Sequence, residues 1–117
     1  MGLNNTAKNL MLDALGAVVG YVSLHTADPG STGINEVTGG SPAYARKAVT
    51  WNASSGADLD NNANPVFDVP ASTTITHFGL WSAATSGTFY GGDALSASES
   101  FGAQGTYTLN DLDVLLT

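Results

Sequence analysis

The sequence predicts a mainly β protein, an antiparallel β-sandwich or flattened barrel carrying one N-terminal α-helix. Apolar residues recur at helical spacing only near the start of the chain. After residue 20 they alternate in short runs with a two-residue rhythm, and turn-rich stretches of Gly, Asn, Ser and Pro separate the runs. No regular alternation of helix and strand is visible, which argues against a parallel α/β sheet. At 117 residues the chain is expected to be a single domain, 1–117.

The helix is expected over about residues 5–16. Asn4 or Asn5 is available as N-cap, and Ala7, Leu10, Met11, Ala14, Leu15 and Val18 share one apolar face. Gly16 and Gly20 mark its end. Tyr21 to His25 then alternates as a strand, with Val22 and Leu24 on one side and Tyr21, Ser23 and His25 on the other. Thr26 to Pro42 has the composition of a long surface loop, with room for a short extended piece at Ile34 to Val37.

A second long strand is predicted from Tyr44 to Trp51, with Ala45, Lys47, Val49 and Trp51 on one face and Tyr44, Arg46, Ala48 and Thr50 on the other. Asn52 to Asn64 reads as polar loop, and Val66 to Val69, fenced by Pro65 and Pro70, as a short edge strand. Thr73 to Ser82 has the strongest β signal. Strict alternation puts Thr74, Thr76, Phe78 and Leu80 on one face and Ile75, His77 and Trp81 on the other. Both faces carry apolar bulk, so one is expected to be covered by a second sheet or the helix and the other by a long loop or a partner. Thr85-Ser86-Gly87 turns the chain into a strand at Thr88 to Tyr90. Gln104 to Leu116 closes it, with a bulge expected near Asn110-Asp111.

Composition excludes more functions than it suggests. Ten acids against three bases (Lys8, Arg46 and Lys47) give a net charge of −7, the wrong sign for a phosphate-binding surface, so no nucleic-acid partner is expected. With no Cys there is no disulfide, thiol nucleophile or Cys-ligated metal. The longest apolar stretch, Leu10 to Val22, is broken by Asp13, Gly16 and Gly20, so neither a membrane span nor a signal peptide is predicted.

No catalytic, cofactor-binding or metal-ligating set is assigned. Asp58-Leu59-Asp60-Asn61-Asn62-Ala63-Asn64 spaces oxygen atoms like a calcium loop. It has Ala63 and Val69 where an EF-hand-type loop needs Gly and a bidentate acid, and Asx residues are equally the residues of plain turns. Whether that loop takes calcium is left open. His25 and His77 lie in strands with no acid at short fixed spacing, and no nucleophile, base and orienting group are written together. A carboxylate pair would need tertiary contact among Asp58, Asp68, Asp93, Glu99, Asp111 and Asp113. The glycines match no phosphate-cradling motif.

Trp51, Trp81, Tyr44, Tyr90 and Tyr107 form an aromatic set suited to core packing, a protein interface or stacking on a sugar. Arg46 and Lys47 are adjacent and point to opposite faces of a strand, one toward an internal carboxylate and the other toward an acidic neighbour. Tyr44, Arg46, Lys47 and Trp81 are the predicted interface residues.

The segments YVSLHTADPGSTGINEV at 21–37, YARKAVTW at 44–51, NPVFDVPASTTITHFGLWSAATSGTFYGG at 64–92 and the closing QGTYTLNDLDVLL resemble small virion proteins of tailed bacteriophages, especially those of actinobacteria. The LHTADPG turn and the GLWSA strand end carry most of the likeness. The resemblance implies a structural component of the virion with no cofactor. Its partners would be other virion proteins and identical subunits, with a homotrimer by analogy. It further implies a small tail-fibre or minor tail protein, or alternatively a capsid decoration protein stabilising the head lattice. The aromatic set keeps open a reading of another class, a carbohydrate-binding module for a host cell-surface glycan through Trp51, Trp81 or Tyr90.

Overall fold

The computed structural model describes residues 2–110 and 112–116. Its elements run α1 (Asn5–Val18), β1 (Tyr21–His25), β2 (Lys47–Ala48), β3 (Asp58–Asp60), β4 (Val66–Val69), β5 (Thr73–Trp81), β6 (Phe89–Phe101), β7 (Gly105–Thr108) and β8 (Asp113–Leu115). β2, β1, β5 and β6 form one antiparallel sheet in that order, while β3 pairs with β8 and β4 with β7 in two antiparallel ribbons. The sheets do not close on themselves. Of the two architectures left open by the sequence, the structure is therefore compatible with the sandwich and is not a closed barrel. Among the described residues no helix is long and apolar enough to cross a membrane.

One core joins these parts. Val22 and Leu24 of β1, Ile75, Phe78 and Leu80 of β5 and Leu95 of β6 cluster with Phe67 and Val69 of β4, Leu109 and Leu112. Fully burying one such side chain is worth about 1.5–3 kcal/mol, so the four-stranded sheet is held to the ribbons chiefly by apolar contact. Ile75 joins Phe78 and Leu80 on this face, which strict alternation forbids. The pairing register with β6 shifts by three residues between Ile75, opposite Glu99, and His77, opposite Ala94, and the parity of the buried face reverses across that irregularity.

Other expectations are corrected in the same physical terms. The strand predicted from Tyr44 to Trp51 shrinks to Lys47–Ala48 because the segment changes partners. The Val49 N–H bonds the Gly20 carbonyl at 2.9 Å, and beyond it the Asn52 N–H reaches the Asp60 carbonyl at 2.9 Å and the Asn62 N–H the Thr50 carbonyl at 3.0 Å. Part of the expected Asn52–Asn64 loop becomes β3 through its pairing with β8. The strand expected to stop at Tyr90 runs on to Phe101, through a Gly-, Ser- and Ala-rich stretch in which only Leu95 is buried. Its β character comes from pairing with β5 and not from its own residues. The closing segment divides between β7 and β8, in different ribbons. The expected bulge touches Asp111, which lies outside the described residues.

Candidate functional site

The second face of the main sheet is closed by the chain itself. Gly79 and Trp81 of β5 stand beside Ser23 and His25 of β1, where paired registers set Ser23 opposite Gly79 and His25 opposite His77. Ser23 and His25 are fully buried. The Trp81 indole N–H donates to Ser23 Oγ at 2.8 Å, Ser23 Oγ lies 2.6 Å from His25 Nε2, and His25 Nδ1 lies 2.8 Å from the Ile34 carbonyl. A carbonyl only accepts, so Nδ1 carries the proton and Nε2 accepts from the serine hydroxyl. Every polar atom in the chain of bonds is thereby satisfied by a neutral imidazole. Burial pushes the His25 pKa below its ordinary 6.5, and the Arg46 and His77 charges push the same way. The Ile34 hydrogen bond and Glu36 oppose them.

The segment that covers this face is the long loop 26–43. Gly33, at φ +80°, passes so close that a Cβ would sit 2.5 Å from Trp81, and a Cβ on Gly79 would sit 2.6 Å from Ser23 Oγ. Only glycine fits either place. Glu36 of the loop accepts both Nε and Nη2 of Arg46 at 3.0 Å, a bidentate pair. Arg46 Nη1 donates to the carbonyls of Ala83 and Ser86, and its guanidinium lies 3.5 Å from the centre of the Trp81 ring. Tyr44 donates to Glu36 Oε2 at 2.8 Å and accepts the Leu24 N–H at 3.0 Å. Burial drives its phenol pKa far upward.

Three of the four predicted interface residues, Tyr44, Arg46 and Trp81, thus converge on one internal clamp. Of the two adjacent bases, Arg46 is the one that finds an internal carboxylate, and Trp81 is 8% exposed. Lys47 stands apart, half-buried on the outer strand of the sheet. The cover expected over the second face of β5 is the long loop. The Ser23–His25 pair has the spacing of a nucleophile and base, but it is sealed beneath Trp81 with both ends bonded. Trp51 is half-buried and donates its indole N–H to the Val19 carbonyl at 3.0 Å, while Tyr90 lies exposed on β6.

The opposite holds at α1. Asn4 caps the helix by accepting the Ala7 N–H at 2.9 Å. The apolar face of the helix points outward: Leu10 is 70% exposed and Val18 48%, with Leu3, Met11 and Ala14 also exposed. Only Leu15 of the predicted set packs on the core, beside the buried Leu12 and Val19. The reason lies in the polar residues. Asn9 bonds both Ser54, through its carbonyl at 2.9 Å, and the Ala57 N–H, through Oδ1 at 3.0 Å. Asp13 accepts the Ser54 N–H at 2.8 Å, which holds its carboxyl below the usual range. These bonds fasten the Asn9 and Asp13 side of the helix to the segment before β3 and turn the Leu10 side to solvent.

Among the described residues, the acids that converge are Asp58, Asp60 and Asp113, one oxygen of each lying within 4.8 Å of the others. Sequence spacing could find the first two; Asp113 arrives through the pairing of β3 with β8.

Over residues 3–117 the chain matches the family described as Podophage GP4 fiber I protein gp80, and it belongs to that family. No curated protein matches it. The chain is accordingly a structural component of a phage virion.

Proposed function

We propose that the chain is a non-enzymatic subunit of the tail-fibre apparatus, a small tail-fibre or minor tail protein that works as a homo-oligomer docked through α1. The observation that carries this reading is the outward apolar face of the helix. Ala7, Leu10, Ala14 and Ala17 follow the alternating three- and four-residue spacing of a helix–helix seam, and Leu3 lies exposed just before the N-cap. Met11 and Val18 widen it to roughly 120° of the helix circumference, at 3.6 residues per turn. A two-helix seam is narrower than this. A face of that width suits a helix with two like neighbours, in keeping with a trimer around a three-fold axis. Neither Lys8 nor Asp13 lies in the seam, so docking buries no charge.

Lys47 is the member of the predicted interface set left to meet an acidic surface of a neighbouring subunit. The absence of catalysis is supported by the state of the Ser23–His25 pair, whose donors and acceptors are committed internally. Actinobacterial hosts follow from the sequence resemblance alone. Electron cryomicroscopy of the intact particle tests the assignment. The reading expects copies within a tail fibre, their α1 helices in mutual contact. Isolated copies on the head surface would instead assign a decoration role, and tail copies with α1 facing only solvent would remove the docking surface.

A further inference from the structure

We propose that the groove between the end of α1 and the segment 49–53 is a binding site for a neutral saccharide, with the Trp51 ring as its platform. This goes beyond the structural role and does not rest on docking through α1, because every residue of the site belongs to one protomer. The groove holds roughly 440 Å³, within the range of about 300–1,000 Å³ usual for small-molecule sites. Its apolar lining is Trp51 with Val19 and Leu59, and its polar lining includes Asp13, Thr50 and Asn52. A sugar ring presents C–H groups on its faces and hydroxyl groups around its edge. It therefore needs a flat apolar wall beside groups that accept and donate hydrogen bonds.

Both requirements are met here. Trp51 is half-buried and spends its indole N–H on the Val19 carbonyl at 3.0 Å, so the ring is held in one orientation and meets the groove through its carbon surface. Asn52 is exposed, and its side-chain amide, free to donate and accept at once, makes no hydrogen bond among the described residues. Asp13 is exposed and fixed by the Ser54 N–H at 2.8 Å, which presents a carboxylate acceptor to a hydroxyl group. Among the described residues no Lys or Arg lines the groove, and on a chain of net charge −7 this disfavours a phosphate or an acidic sugar. The groove is also kept open at the expense of the helix. Gly16 lies inside α1, where only proline is a poorer helix former. A Cβ there would meet Trp51 Cδ1 and Leu59 Cδ2 at 3.4 Å, contact without overlap, so packing does not demand glycine. An added methyl group would instead occupy space against the indole.

The test uses the full chain on a printed array of hexose and N-acetylhexosamine oligosaccharides, each with and without uronic or sialic acid. The best-bound free oligosaccharide is then titrated while tryptophan emission is read. The wild type should bind neutral members and show a saturable change in emission. Asn52→Ala should weaken binding by about 2–10-fold, the worth of one neutral hydrogen bond, at an unchanged melting temperature. Gly16→Ala should melt no lower than the wild type and bind more weakly. Trp51→Phe should weaken binding and remove the emission change; if it fails to fold, the other two variants decide. Absence of binding to every neutral glycan, preference for the acidic ones, or full affinity in Asn52→Ala or Gly16→Ala would overturn the site.

Discussion

The two flanks of this molecule handle polarity in opposite ways. Beneath the loop 26–43, an arginine, a glutamate, a histidine, a serine and a tryptophan are drawn inward, and their donors meet acceptors within the fold. At α1, Asn9 and Asp13 face the protein while Leu10, Met11 and Val18 face water. The contrast shows that which side chains are hidden is decided by where the backbone and side-chain hydrogen bonds can be completed, not by hydropathy residue by residue. Among the described residues, the polar side chains of the closed flank are committed to one another, while the open flank leaves apolar side chains exposed.

The contrast breaks first at Trp81. Trp81→Ala would empty the space between Gly33, Phe89 and Arg46 and leave Ser23 without its donor, costing about 3–5 kcal/mol in urea unfolding. A loss under about 1 kcal/mol, the size of a surface change, would show that the flank is not sealed as described. Gly79→Ala comes next. Its Cβ would press on Ser23 Oγ and on His25 Nε2, at 2.6 and 2.8 Å. Overpacking of this kind costs about 1–3 kcal/mol, read as a lower urea midpoint at unchanged slope.

Acid gives a smaller effect on the same flank. The folded state holds His25 below its unfolded value of 6.5, so the unfolded chain binds the proton more readily. The stability this group contributes is present above pH 6.5 and is lost as pH falls from there through the folded pKa. Urea midpoints measured downward from neutral pH should decline in that window and level off in His25→Gln; a flat wild-type profile would contradict a buried neutral imidazole.

Much of the closed flank was legible in the sequence and much of the open one was not. β1 and β4 stand where the sequence placed them, and β5 ends one residue short, because each run is rich in β-branched and aromatic residues and fenced by turn residues. That one of the two adjacent bases meets an internal acid was readable, since neighbouring strand residues face opposite ways, but which of them does so was not. The helix was placed within two residues, yet the direction of its apolar face was not legible, because periodicity reports that a face is apolar and not what covers it. Beyond Phe89 and Tyr90, β6 carried no strand pattern, as Ser, Ala and Gly become a strand only once β5 supplies the partner. Asp113 could not be joined to Asp58 and Asp60, for the pairing that unites them spans half the chain.

Sedimentation velocity over a wide concentration range, on the wild type and on a Leu10→Ser/Met11→Ser variant, addresses the open flank directly. Both changes lie on exposed positions, so the protomer's own stability should shift by no more than about 0.5 kcal/mol each. The account predicts that the wild type moves from monomer toward trimer as concentration rises, while the variant keeps its circular dichroism melt and stays monomeric. A wild type that is monomeric throughout, or a variant that associates equally well, would contradict it.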